Sequence, residues 1–250
     1  MVIPDASIST DRYQVRFAST PDELDRVQKL RFEIFNLELN EGQESSYATG
    51  RDRDEYDQWM HHLYILERDS HRVVGTYRLQ CLRQAKMNKG FYTDDEFELT
   101  SYAPAIPRSG VEIGRACVHS DYRSSHVLRL LWKGIAMYLD YFDKRYLFGC
   151  TSLPTTSKLK ASCATEMLQK KNHFHDQILI PVRDPYRFEL PCYDDEEVKV
   201  DIPRLLLVYL RYGAKVCSLP ALDCNFQTID FLTIFDLENL PNGARRRFFN

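Results

Sequence analysis

The sequence predicts an α/β protein whose core is a mixed sheet of about six or seven strands flanked by helices. Three stretches carry that expectation. From Val111 to Leu153 an apolar strand, a long apolar helix and a second apolar strand follow one another, the pattern of a βαβ unit. Leu63 to Glu67 and Val73 to Leu82 form two further apolar runs joined by Asp69-Ser70-His71, which predicts a hairpin. Thr20-Pro21-Asp22-Glu23 is a capping-box signature that opens an amphipathic helix.

Taken in order, Tyr13 to Ala18 alternates as a short strand and leads into the capped helix, where Leu24, Val27, Leu30, Arg31, Ile34 and Phe35 recur at helical spacing. Arg31 and Phe35 therefore share a face. Residues Asn40 to Gln58 are polar and without period, which predicts a long functional loop, and its end concentrates Asp52, Asp54, Glu55 and Asp57. Between Arg83 and Ser109 the expectation is irregular chain with one short helix over Asp94 to Leu99. Val111, Ile113, Ala116 and Val118 make a strand interrupted by Gly114, and an isolated glycine in a strand often marks a bulge. Glu112 and Arg115 would then flank the bend. Val127, Leu128, Leu131, Trp132, Ile135, Tyr138 and Leu139 form one face of a helix over Ser125 to Asp143, and Tyr146 to Leu153 is the next strand. A helix near Thr156 to Gln169, an irregular insertion over 170–200, a helix over Ile202 to Tyr212 capped by Gly213, and strands at Lys215 to Leu219 and Phe231 to Leu237 complete the chain. No repeat or low-complexity linker interrupts it, so residues 1–250 are expected to form a single domain, with 1–11 flexible.

Composition narrows the function. A net charge of −3 lacks the basic excess that wholesale nucleic-acid binding needs, so no nucleic-acid partner is expected. The seven cysteines are odd in number and contain no C-x-x-C pair, which favours reduced thiols and a cytoplasmic location. The first ten residues have no basic and apolar signal pattern. His61-His62 and His173-x-His175 lack the companions of a metal site, and no metal is expected.

The phrases VVGTYRL (73–79), GFYTDDEFEL (90–99), VEIGRACVHSDYR (111–123), LLWKGIAMYL (130–139) and YLFGCTSL (146–153) together resemble the acyl carrier protein-dependent N-acyltransferases of the GNAT superfamily, of the ornithine Nα-acyltransferase type, often labelled hemolysin-like. The resemblance is strong over residues 12 to 170. It implies a GNAT-like fold and transfer of a long-chain (3-hydroxy)acyl group from acyl carrier protein to the α-amino group of an amino acid, ornithine first, to give a lyso-ornithine lipid. The partners implied are acyl carrier protein and the amino acid. No resident cofactor is implied, since 4'-phosphopantetheine arrives on the donor. A more distant similarity to the acyl-homoserine lactone synthases singles out Arg31 with Phe35, the Asp52, Asp54 and Asp57 cluster, Arg78, and Glu112 with Arg115. Other N-acyl amino acid synthases, lactone synthases, acetyl-CoA enzymes, and a non-catalytic hemolysin-like binding protein are the alternatives.

Within that frame Glu112 is the candidate base for the acceptor amine, with Arg115 beside it, and the alternative for the pair is a salt bridge bracing the strand. Arg31 could bind a substrate carboxylate bidentately or serve as a bracing charge, and Arg31, Phe35, Asp54, Asp57 and Arg78 are the expected substrate-binding set. Asp54 and Asp57 would either hold a cationic amine or pair with Arg31 and Arg78; the second is preferred. His119 is either a proton-transfer aid or structural. Val118, Arg123 and Lys133 are the expected donor-binding set, and Arg123, Arg129, Lys133, Lys144 and Arg145 either greet an acidic carrier or are solvated helix charges. The turn Arg123-Ser-Ser-His126-Val-Leu128 lacks the glycines of a CoA pyrophosphate loop, which favours a carrier thioester. Arg245-Arg246-Arg247 before Phe248-Phe249 suggests peripheral contact with anionic lipid at the inner membrane face, or a frayed tail.

Overall fold

The computed structural model describes residues 4–192, 198–240 and 243. These form two compact units: residues 4–89, 113–144 and 243 make the first, and residues 90–112, 145–192 and 198–240 the second. The basic and aromatic run Arg245 to Phe249 lies outside the described residues.

In the first unit the strand order is β1 (Ile8–Ser9), β2 (Tyr13–Phe17), β3 (His61–Glu67), β4 (Arg72–Cys81) and β5 (Gly110–Val118) from its fourth residue onward. The first four pair antiparallel, with the expected hairpin between β3 and β4. Every residue of β3 is buried, because both faces of this sheet are covered. On one face lies α1 (Pro21–Phe32), whose Val27 and Leu30 pack with Ile34 against Tyr64, Leu66, Val73 and Cys117. Its N-terminus is closed as the sequence requires: the Thr20 side chain accepts the Glu23 N–H, and the Glu23 carboxylate accepts the Thr20 N–H in return. Past Phe32 the helix continues as a π-helical turn over Glu33–Glu38. Later in the chain, α2 (Leu82–Met87) follows β4 directly.

Three short helices, α3 (Thr93–Glu96), α4 (Leu99–Tyr102) and α5 (Ala105–Arg108), open the second unit where one was expected. Four residues make about one turn, too few to show a helical period. Back in the first unit, α6 (Ser125–Phe142) lies on the face opposite α1, and a Cβ on Gly134 would meet Leu63 and Val15 at 3.0 Å or less.

In the second unit the start of β5 pairs in parallel with β6 (Tyr146–Leu153), and this ladder runs from Gly110↔Tyr146 to Glu112↔Phe148. Gly110 is required there, since a Cβ would come within 2.6 Å of the Ile106 carbonyl. The other side of β6 pairs antiparallel along its full length with β9 (Thr228–Asp236). The strands β7 (Lys215–Val216) and β8 (Ala221–Asp223) also pair with β9. Helices α7 (Lys158–Lys170) and α8 (Arg204–Arg211) pack on the face carrying Leu153, Ile229 and Phe231, and Gly213 takes the left-handed conformation (φ 96°) just past α8. The nine strands among the described residues exceed the expected six or seven, because β1, β7 and β8 are only two or three residues long. For the same reason residues 8 and 9, expected to be flexible, are held as an edge strand.

Candidate active site

The expected bend in β5 is present but belongs to another residue. Gly114 has open space where a Cβ would stand and no left-handed backbone, whereas Arg115 takes φ 47°. A non-glycine residue pays roughly 1–2 kcal/mol for that conformation. Its guanidinium is oriented by charge, 3.6 Å from Asp52 and 3.8 Å from Asp54, and it lies over the Phe35 ring at 5.6 Å. Arg115 thus faces the acidic loop of its own unit.

Glu112 itself is 2% exposed. Its carboxylate accepts the backbone N–H of Tyr92 at 3.1 Å and of Thr93 at 2.6 Å, at the start of α3. A carboxylate anion there also complements the helix dipole. One strand residue therefore fixes the 90–96 segment. A carboxylate has roughly four acceptor sites, so these two bonds do not by themselves exhaust its capacity to take a proton from an amine.

The substrate-binding set of the first unit is largely an internal ion network. Arg31 is 0% exposed; its Nε donates to Asp52 at 2.7 Å, its Nη1 to Asp57 at 2.8 Å, and its Nη2 also to Asp52. All three nitrogens thereby have internal carboxylate partners, the bracing arrangement among the two readings of Arg31. Arg78 Nη1 reaches Asp54 at 2.5 Å and Asp57 at 2.7 Å, and Gln28 donates to Asp57 at 3.1 Å. With Arg115, three cations face three carboxylates. Burial alone would lower the Arg31 pKa, yet Asp52 and Asp57 raise it overall; burial alone would raise Asp57, yet Arg31 and Arg78 hold it well below the ordinary carboxylate range. Asp54 and Asp57 pair with Arg78 and so tie the loop to the sheet. Phe35 contributes the ring under Arg115.

His119 is structural in its contacts. Its Nδ1 accepts the Asp121 N–H at 3.2 Å, so Nε2 carries the proton and donates to Glu33 at 2.9 Å. His62 donates from Nε2 to the Asp57 carbonyl at 2.9 Å, and burial pushes both His61 and His62 down to about 4. These histidines are neutral in the fold and ordinary in the unfolded chain, so the stability they contribute is present above the unfolded value near 6.5 and is lost as pH falls through about 4. His62→Gln, which keeps an N–H donor, is expected to shrink the difference in Tm between pH 7 and pH 5 relative to wild type; an unchanged difference would reject this assignment.

On the donor side, Val118 is half-buried and its carbonyl accepts Arg123 Nε at 3.1 Å. Arg123 is also paired with Glu38 through both Nη atoms, at 2.6 and 2.7 Å. Arg145 binds Asp236 through two nitrogens at 2.8 and 2.6 Å and Glu238 at 2.8 Å. Two of the charges expected to greet a carrier therefore already have acidic partners; Lys133 is half-buried on α6. At the start of α6 the Ser124 hydroxyl accepts the Val127 N–H, so the helix end is capped by its own chain.

Sequence reasoning missed a second acidic cluster. Glu96, Asp223 and Asp230 converge in the second unit, each offering an oxygen within 4.8 Å of the others. Glu96 is more than a hundred residues from the other two, and the β8–β9 pairing sets Asp223 and Asp230 on one face.

Comparison with known proteins agrees with the motifs. An acetyltransferase (GNAT) domain is matched by residues 30–133. The L-ornithine Nα-acyltransferase of Rhodobacter capsulatus is 29% identical over 245 residues, covering 93% of this chain and 93% of that protein. Among solved structures, the N-acyl amino acid synthase FeeM from uncultured soil microbes superposes with a TM-score of 0.54 at 8% identity, covering 92% of this chain and 95% of its own. The acyl-homoserine lactone synthase LasI gives 0.51 at 13% identity, covering 95% and 94%. These two show the shared fold. With its GNAT domain match, its mixed sheet and its sequence similarity along nine tenths of the chain, the protein has the GNAT fold and is similar to the L-ornithine Nα-acyltransferases.

Proposed function

We propose that the protein transfers a long-chain 3-hydroxyacyl group from acyl carrier protein to the α-amino group of ornithine, giving a lyso-ornithine lipid. The observation that carries this reading is similarity to L-ornithine Nα-acyltransferases along nine tenths of the chain. The carboxylate of Glu112 removes a proton from the α-ammonium, directly or through water. The amine nitrogen then bonds to the thioester carbonyl carbon, the oxyanion collapses as the C–S bond breaks, and the second proton lost by the nitrogen passes to the leaving phosphopantetheine thiolate, giving the amide and the free thiol. No thiol of the protein is needed; burial pushes Cys117, the cysteine of β5, up to about 12.

The carrier donor is supported at α6. Glycine-rich turns cradle a CoA pyrophosphate with exposed backbone N–H groups, whereas here Ser124 already occupies the Val127 N–H and Arg123 is held by Glu38. The purified enzyme is expected to show a far higher kcat/KM with long-chain acyl carrier protein than with acetyl-CoA, and mass spectrometry of lipids from expressing cells should show an N-acyl ornithine. Equal kcat/KM for the two donors would remove the carrier from the reading, and a lipid built on another amino acid would change the acceptor.

A further inference from the structure

The acidic cluster of the second unit has a defined place on the sheet. Opposed residues in paired strands share a face, so the register Glu112↔Phe148, Ser152↔Asp230 and Asp223↔Thr228 puts Glu112, Cys150, Asp230 and Asp223 on one face. That is the face opposite α7 and α8. Glu96 reaches the cluster from α3, the helix whose start is pinned by Glu112. Cys150 lies between the two sites: Glu96, Asp230 and Glu112 all act on its thiol electrostatically.

The three carboxylates are 1%, 3% and 3% exposed. No Lys, Arg or His forms an ion pair with any of them among the described residues. Asp223 has hydrogen bonds of its own, accepting the N–H groups of Asn225 at 2.7 Å and Phe226 at 3.2 Å. Glu96 differs: its hydrogen-bonding neighbours are the Asp230 carboxyl and the Cys150 thiol, no donor of good geometry meets either of its oxygens, and Oδ1 of Asp230 is likewise without one. Leaving a buried charged group without hydrogen bonds is costly, so the natural complement is a cation that brings donors. Burial and the neighbouring acids push Asp230 up to about 6 and Glu96 well above its ordinary value, as expected of acids awaiting such a complement.

Resting on the ornithine reading, we propose that Glu96, Asp223 and Asp230 bind the side-chain ammonium of the acceptor amino acid while its α-amine is presented on the Glu112 side of the same sheet face. An ammonium carries three donors, and charge-assisted N···O bonds of about 2.7–2.9 Å place the acceptor oxygens of a tetrahedral nitrogen about 4.4–4.7 Å apart. The observed limit of 4.8 Å accommodates that spacing. A divalent calcium or magnesium ion suits the site less well, since it requires six or more oxygen ligands, commonly including waters. The triad is therefore a specificity device. It selects an acceptor with a second cationic group and leaves the chemistry at the α-amine to other residues.

The test compares ornithine with norvaline, the same carbon chain without the terminal amine, using the full-length enzyme and long-chain acyl carrier protein. Glu96→Gln and Asp230→Asn are each expected to reduce the ornithine-to-norvaline ratio of kcat/KM about 10–100-fold, chiefly through the ornithine KM, the range set by loss of one charge-assisted hydrogen bond. Wild-type enzyme should be stabilised thermally by ornithine more than by norvaline, a measurement that needs no variant to fold. An unchanged ratio in folded variants, or no difference between the amino acids in wild-type thermal shift, overturns the proposal. So does an ornithine preference that vanishes with chelator and returns with magnesium or calcium. If wild type acylates neither amino acid yet is stabilised by ornithine, and Glu96→Gln abolishes that stabilisation, the ammonium site stands and the acyl-transfer reading falls.

Discussion

Glu112→Gln is expected to lower turnover roughly 10²–10⁴-fold, the usual contribution of general acid–base catalysis, with the acceptor KM changed far less. Two roles compete for this residue, and the structure sharpens the contest. As a base, Glu112 loses its function on amidation, and turnover recovers at high pH where free amine is abundant. As an anchor, it holds the N–H groups of Tyr92 and Thr93, and the amide would present an NH2 group where one of those two donors now points. That clash would leave a buried N–H unsatisfied at about 1–3 kcal/mol and loosen the 90–96 segment. The anchor role alone thus predicts a lower Tm with turnover near normal once folded. Measuring Tm beside the pH–rate profile separates the outcomes: a well-folded variant that is slow at neutral pH and faster at high pH identifies the base. One that melts early and turns over normally removes Glu112 from the chemistry.

What the sequence made legible follows from length and period. Helix α6 has five turns, enough for its apolar face to repeat, and its position between two strands was readable directly. The β3–β4 hairpin and the Thr20 box were equally plain, because their signals are local. The Arg31 network was legible in part: the similarity to acyl-homoserine lactone synthases brought Arg31, Asp54, Asp57 and Arg78 onto one list, and the preferred pairing is the one formed. What spacing could not give was depth. Arg31 reads like any helix-face arginine, and only the packing of Asp52 and Asp57 against it shows that it has no solvent-facing side. The left-handed conformation falls on Arg115, one residue past the glycine that the strand pattern pointed to. The Glu96, Asp223 and Asp230 cluster was illegible for a different reason. Glu96 sits in a one-turn helix, Asp223 in a three-residue strand, and their meeting depends on strand register over more than a hundred residues.

Arg31→Met is expected to destabilise the protein by about 3–5 kcal/mol, the range for removing one partner of a buried ion pair. For a chain of this size that corresponds to a Tm lower by roughly 6–20 °C. The methionine fills much of the arginine volume, so the loss is electrostatic: Asp52 and Asp57 keep their burial while losing their principal donor. Arg78 and Gln28 still serve Asp57, but Asp52 is left with Arg115 at 3.6 Å, and protonation becomes its easier course. Sign follows from linkage: both aspartates are depressed in the fold, so their stability is present above the unfolded value near 4 and is lost on acidification. In the variant that depression shrinks, and the wild-type advantage should narrow as pH falls toward 3. Adding Asp52→Leu removes the orphaned charge as well and is expected to recover part of the lost Tm, since a buried pair replaced whole by apolar groups is often neutral. A single variant that melts as wild type but raises the acceptor KM tenfold or more would instead make Arg31 a direct substrate ligand, reached by an arrangement in which Asp52 and Asp57 release it.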